Sequence, residues 1–142
     1  MIIRRILRRD ERGVAAIEMA FALPVLIVMI WMFVQLAQVF RAVAGIQQGL
    51  GEGARYATLC LNPSTTSCTI PSADDIKDRI NTAVYGIGPG KFTIDTPVLQ
   101  TASNGGRYYD LKVNYSQTTN LLIFPGPNIA VSRSKRVWVA TT

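Results

Sequence analysis

The side chains of this sequence support little catalytic chemistry. It has 142 residues, no His and only two Cys, Cys60 and Cys68. Without His it lacks the most common general base and metal ligand, and two thiols cannot form a four-ligand zinc site by themselves. The sequence motifs of phosphate-binding loops, zinc proteases and serine hydrolases are also missing. We therefore predict that the chain is not an enzyme and has no metal, cofactor or small-molecule substrate.

Gly13 and Glu18 stand out because of the segments around them. Residues 1–13 hold five Arg together with Asp10 and Glu11, and Glu18 is the last charged residue before Arg41. A carboxylate at a membrane edge is unfavourable, and at the bilayer centre it costs about 2.5–3.5 kcal/mol even on insertion scales. Glu18 therefore needs either hydration by lipid headgroups or a cationic partner.

The segment that positions these residues is apolar. Residues 19–40, MAFALPVLIVMIWMFVQLAQVF, carry no formal charge. At about 1.5 Å per helical residue this segment spans roughly 33 Å, enough to cross a hydrocarbon core of about 30 Å. A buried helix of a soluble core is the alternative, but few residues remain to surround it. We predict a single membrane-spanning helix, and the basic leader predicts a cytoplasmic N-terminus with residues 41–142 outside the membrane.

A conventional cleavable signal fits this segment less well. Such signals have an apolar region of about 7–15 residues followed by a small-x-small cleavage site. The apolar segment here is longer, and a helical pattern continues after it. A cut near Val43–Gly45 remains an alternative to a cut that precedes the apolar helix and leaves it in the protein.

The residues around Gly13 resemble a known processing site. RGVAAIEM (residues 12–19) is similar to the cleavage site of type IV prepilins and their tight-adherence relatives, in which a basic leader ends in Gly and a Glu follows. Together with EGARYA (residues 52–57), it resembles the TadE-like family of pilus proteins. The C-terminal segments VNYSQTTNLLIFPGP and RSKRVWV are also similar to that family. Met19 departs from the major pilins, where an aromatic residue follows the Glu.

The resemblance implies that a prepilin peptidase cuts between Gly13 and Val14. The new amine on Val14 would then lie one helical turn from Glu18 and could pair with it, within one chain or between neighbouring subunits. This pairing would set the register of assembly. The implied protein is a minor pilin or pseudopilin of the bacterial inner membrane with a periplasmic domain. Its partners would be the peptidase, other pilins or pseudopilins and the inner-membrane pilus platform of a tight-adherence (type IVc) system for cell adhesion.

Two other functions remain open at this point. One is an uncleaved, signal-anchored periplasmic scaffold protein, and the other is a pseudopilin of a type II-like secretion system. The N-terminus of the protein would separate the scaffold from the pilin, because only the pilin starts at Val14.

Two further features of the predicted long helix are its proline and its glycines. Pro24 predicts a bend within the membrane-spanning part, because proline removes a backbone hydrogen bond and clashes with the preceding turn. Beyond the membrane, Gly45, Gly49 and Gly53 share one face at a spacing of four. Such a face allows close approach either of the protein's own sheet or of a partner helix.

Cys60 and Cys68 flank the short segment LNPSTTS, which we expect to end the helix. The predicted topology places both thiols in an oxidising compartment, where a disulfide is expected. Closing so short a loop contributes about 2–3 kcal/mol in the chain-entropy model. The spacing differs from the C-x-x-C of redox motifs, which favours a structural role.

The overall prediction is an α+β protein with three parts: a leader (1–13), a long helix (14–60, membrane-spanning over 19–40) and a small extracytoplasmic domain (61–142). The domain should contain one short helix after Ser72 and three antiparallel strands around Phe92–Val98, Tyr109–Tyr115 and Val137–Val139. Residues 102–106 are predicted as a hairpin loop and residues 118–128 as a crossover.

The net charge of +6 does not indicate a nucleic-acid-binding protein. A large share of the positive charge belongs to the leader. Outside it, Arg133–Arg136 is the one basic cluster, and alternation along a strand would divide it between two faces. We predict a solvated strand face and no nucleic-acid partner.

Overall fold

The computed structural model of the chain describes residues 11–59, 61, 68–122 and 124–139. The predicted leader up to residue 10, Cys60 and most of the segment between the cysteines lie outside this range. The elements are α1 (Glu11–Ala57), α2 (Ala73–Val84), β1 (Lys91–Asp95), β2 (Leu99–Thr101), β3 (Arg107–Asn120) and β4 (Pro125–Val139). The predicted α+β class is confirmed, with four strands described instead of three.

Helix α1 has 47 residues and is therefore about 70 Å long. Pro24 lies inside it without ending it, and the predicted bend stays a prediction. The two halves of α1 differ in burial. Its C-terminal half buries one face at helical spacing against the rest of the protein, through Ala42, Ile46, Leu50, Ala54 and Ala57.

Helix α2 begins with the N-terminal cap that the sequence predicts. The backbone N–H of Asp75 donates to Ser72 Oγ at 3.2 Å, and the backbone N–H of Ser72 donates to Asp75 Oδ2 at 3.3 Å. This reciprocal pair satisfies two backbone donors at the helix start. The apolar face of α2 is buried through Ile76, Ile80 and Val84.

The glycine face of α1 packs against α2 and the turn that follows it, so both predicted partners, the protein's own sheet and a foreign helix, are wrong as its main contact. A Cβ on each glycine would overlap a side chain of this segment. The nearest such atoms are Ile87 Cδ1 at 2.6 Å for Gly45, Val84 Cγ1 at 2.8 Å for Gly49 and Ile80 Cγ1 for Gly53. The physical reason is that the three glycines, which have no side chain, leave a groove on the surface of α1. The apolar ridge of α2 fills this groove.

Strand β3 is the centre of the antiparallel sheet. Strands β1 and β2 both pair with one side of it, and β4 pairs with the other. The predicted strand Phe92–Val98 is wrong at its end, because β1 stops at Asp95 and β2 begins only at Leu99. Asp95 pairs with Lys112 and Leu99 with Tyr109, which leaves one extra residue on the outer side. This is the arrangement of a bulge, and the intervening Pro97 has no N–H to donate to a ladder.

The predicted crossover at residues 118–128 is wrong, because β3 and β4 form one long hairpin. Thr118 pairs with Asn128 and Asn120 with Pro125, so the strands remain paired almost to the tip. Strand β4 tolerates its prolines because the structure describes no strand on its other side. The predicted loop at 102–106 is confirmed: Ala102 N–H donates to Gly106 O at 2.8 Å.

The core lies between the C-terminal half of α1, helix α2 and one face of the sheet. From Tyr109 to Thr119, every second residue of β3 is buried on that face, as period-two alternation requires. These residues are Tyr109, Leu111, Val113, Tyr115, Gln117 and Thr119. The small domain is thereby fixed against α1, and the N-terminal half of the helix extends beyond it.

Candidate functional site

The predicted processing residues lie together on α1. Val14 is 68% exposed, and Glu18 is exposed four residues further along the helix. A separation of four residues places both on one face, with an axial offset of about 6 Å. The bond between Gly13 and Val14 lies within the helix in this structure. A peptidase that binds an extended chain would have to unwind this turn, and glycine reduces the cost by about 1 kcal/mol relative to alanine.

The N-terminal half of α1 presents apolar side chains on all sides. A helix from Gly13 to Ala57 is long and apolar enough to cross a membrane, and none of its most apolar window is buried inside the protein. Such a surface is far larger than the apolar patches of soluble monomers. The exposed large side chains are Val14, Ile17, Met19, Phe21, Leu23, Val25, Leu26, Ile27, Met29, Ile30, Trp31, Met32, Phe33, Val34, Leu36 and Phe40.

A polar cluster marks the point where this exposed half meets the domain. The side-chain amide of Gln117 donates to Gln35 Oε1 at 3.3 Å and to Gln38 Oε1 at 3.5 Å. The hydroxyl of Tyr115 donates to Gln117 Oε1 at 2.6 Å. Burial raises the pKa of the Tyr115 phenol above its ordinary value, against the smaller opposite effect of a hydrogen bond with the Gly90 backbone. The two glutamines in the predicted span are therefore satisfied by the domain.

The tip of the β3–β4 hairpin contacts α1 further toward its N-terminus. The carbonyl oxygen of Asn120 accepts hydrogen bonds from Trp31 Nε1 at 2.7 Å and from Gln35 Nε2 at 3.1 Å. These contacts join residues 89 and 85 positions apart in the sequence. Sequence reasoning missed them. The one available signal was Gln117, a polar residue at a position that alternation predicts to be buried.

Comparison with protein families agrees with this geometry. Residues 13–55 match the family model described as TadE-like protein. This segment is TadE-like. The resemblance inferred from the sequence is therefore confirmed over residues 13–55. The same comparisons gave no match to a curated protein and none to a solved structure.

The TadE-like segment ends just before the cysteines. Cys68 is disulfide-bonded in the structure. Cys60, the other cysteine of the sequence, lies outside the described residues, so the Cys60–Cys68 pairing and its contribution to stability remain predictions.

The basic cluster at the far end of β4 is exposed to solvent. Arg136 forms an ion pair with Asp110, with Nε donating to Oδ1 at 3.0 Å, and its guanidinium lies 4.3 Å from the centre of the Tyr108 ring. The hydrogen bond to Asp110 is the main cause of a raised pKa at Arg136. Arg133 and Lys135 are exposed as well. Among the described residues, no group of His, Cys, Asp and Glu could hold a metal ion.

Proposed function

We propose that this chain is a minor pilin or pseudopilin that inserts in the bacterial inner membrane and takes part in assembling a tight-adherence (type IVc) pilus for surface attachment. The TadE-like segment indicates involvement in this kind of pilus assembly. The observation that carries the finer proposal is the uncovered apolar half of α1, with Gly13, Val14 and Glu18 at its start. On this proposal the chain performs no catalysis and is itself the substrate of one cleavage.

The exposed apolar helix supports membrane storage of the subunit before assembly. Each large apolar side chain that leaves water contributes about 1.5–3 kcal/mol. The bilayer and the packed helices of a fibre both provide such burial. A helix that is apolar all round can therefore move from lipid to a helix bundle without exposure to water.

Cleavage after Gly13 would place an ammonium group on Val14, one turn from the carboxylate of Glu18. Within one chain the pair compensates the charge of Glu18 near the membrane edge. Between two subunits the same pair forms only when the helices are offset by about one turn, roughly 6 Å. The pair therefore both reduces the cost of insertion and selects one register.

The structure restricts which part of α1 is free for such contacts. The glycine face at Gly45, Gly49 and Gly53 is filled by α2 and the turn after it. Contacts between neighbouring long helices would therefore use the exposed half, residues 14–40. Trp31, Gln35 and Gln38 mark the start of the part that the domain contacts.

The test is the mature N-terminus in the native host. Intact-mass analysis of the membrane-extracted protein should give a chain starting at Val14 in cells with the prepilin peptidase and a chain that retains the leader in cells without it. Alkaline carbonate should leave the protein in the membrane in both strains. A chain with an intact leader in every strain would support the uncleaved scaffold protein and contradict the pilin.

Glu18→Ala should reduce incorporation into the pilus machinery without affecting cleavage or insertion. Loss of the carboxylate removes the register-selecting pair, and copurification with other pilus components should fall about tenfold, the equivalent of about 1.4 kcal/mol. Glu52→Ala is the matched control, because Glu52 lies on the same helix but pairs with Arg79 at 3.6 Å on the exposed surface of the domain. Equal copurification of the two variants would remove the register argument.

A further inference from the structure

The tip of the β3–β4 hairpin exposes large apolar side chains. Leu122 is 53% exposed and Phe124 is 59% exposed. Leu122 also has a φ of 71°, a left-handed conformation that glycine and asparagine adopt readily and bulky apolar residues rarely do. Neither folding of the turn nor packing of the core requires a leucine at this position.

The tip lies beside the apolar half of α1. Asn120, the last residue of β3, accepts hydrogen bonds from Trp31 and Gln35. Trp31 precedes Phe40, the end of the uncharged segment, by nine residues, or roughly 13 Å along the helix. If the whole uncharged segment crossed the bilayer, the hairpin tip would therefore lie at that depth inside the hydrocarbon.

We infer that Leu122 and Phe124 contact the lipid of the outer leaflet at the membrane interface, next to Trp31. This inference rests on the proposed membrane insertion of α1. Lipid-exposed turns do not occur within the hydrocarbon core, whereas a tryptophan whose N–H is hydrogen-bonded suits the interface. The flanking residues Thr118, Asn120 and Asn128 are exposed and polar, which limits the lipid contact to the turn itself.

This contact moves the outer end of the membrane span toward the N-terminus. The sequence places the span at residues 19–40. With the hairpin tip at the interface, the span ends near Trp31, and residues 13–31 cover about 28 Å, close to the thickness of a hydrocarbon core. Glu18 then lies roughly 8 Å inside the cytoplasmic edge of the core, where the charge of a carboxylate needs a partner such as the Val14 ammonium. Gln35 and Gln38 then lie outside the hydrocarbon, where they bind Gln117. The helix and the hairpin tip together hold the domain in one orientation on the membrane.

Site-specific photocrosslinking of the full chain tests this contact. A benzoylphenylalanine replaces Phe124 in one variant and Trp138 in a control, and both proteins are reconstituted in vesicles of phosphatidylethanolamine and phosphatidylglycerol. Trp138 is 52% exposed on the same hairpin but lies roughly 45 Å from the tip along β4. We expect a phospholipid adduct at position 124 and none above background at position 138.

Three other results would overturn the inference, and one of them also overturns the proposed function. If alkaline carbonate releases the chain from the vesicles, membrane insertion itself fails. If the chain stays in the membrane but position 124 gives no lipid adduct, or only adducts to a second copy of the chain, insertion stands and the lipid contact fails. If the variant at position 124 loses the circular-dichroism spectrum of the unmodified protein, the benzoylphenylalanine is placed at position 122 instead. The same results are expected there.

Discussion

Gly13→Val should leave the chain at its full length, with the leader still attached, in cells that contain the prepilin peptidase. The bond after Gly13 lies within a helix. A peptidase that binds its substrate as an extended chain must therefore unwind this turn first. A β-branched side chain adds bulk directly before the cut, in a place where glycine leaves the backbone open to close approach. Intact-mass analysis of the membrane fraction should show almost complete loss of the species that starts at Val14, and its incorporation into pili should be lost with it.

Ala20→Val is the matched control for this variant. It adds the same side chain to an exposed position of the same apolar helix, beyond Glu18 and away from the cut. We expect the control to be cleaved as completely as the native chain is. Comparison of the two variants then removes any general effect of a valine on membrane insertion. Normal processing of Gly13→Val would show that the site does not depend on the missing Cβ and would weaken the assignment of Gly13.

The elements whose pattern is local were predictable from the sequence. The uncharged run 19–40 is sufficient to predict a long apolar helix, because nothing in the chain is large enough to bury it. Helix α2 follows from the capping residue Ser72 and from apolar residues at helical spacing, and the structure contains both. The loop at 102–106 follows from its adjacent glycines, of which Gly105 has a φ of 80°.

The elements that depend on distant pairing were not predictable in the same way. The sequence predicts a crossover for the run at residues 118–128, which is apolar at its centre and then turns at PGP. Its pairing with β3 is acceptable only because β4 lies at the edge of the described sheet, a fact of topology and not of sequence. The end of β1 at Asp95 and the start of β2 after Pro97 likewise depend on the register against β3.

The same distinction applies to the candidate site. Gly13, Val14 and Glu18 are close in sequence, so their spacing alone predicts their relation on a helix. The contacts of Trp31 and Gln35 with Asn120 cross more than 80 residues, and no local pattern indicates them. The glycine face illustrates the intermediate case: the sequence predicts a close approach at Gly49 and Gly53, but only the structure identifies α2 as the element that makes it.

Gly53→Ala should destabilise the domain by up to about 2 kcal/mol. The new methyl group would meet Ile80, whose side chain is fully buried and has little room to move. Overpacking of this kind costs about 1–3 kcal/mol, which exceeds the gain of about 0.8–1.0 kcal/mol that alanine brings to a helix. Urea unfolding of the detergent-solubilised full chain, followed by near-ultraviolet circular dichroism, measures the change.

Gly51→Ala separates the steric effect of the Gly53 substitution from helix propensity. Gly51 lies on the same helix two residues earlier, and a Cβ there would have no neighbour within 4 Å. This variant should gain up to about 1 kcal/mol, so the two alanines should change stability in opposite directions. Ile80→Ala should then cost less in the Gly53→Ala background than alone, because alanine lacks the Cγ1 and Cδ1 atoms that overlap the new methyl group. Strictly additive effects, or a stabilising Gly53→Ala, would show that α2 does not fill the glycine groove, and residues 45–53 would again be available to a partner helix.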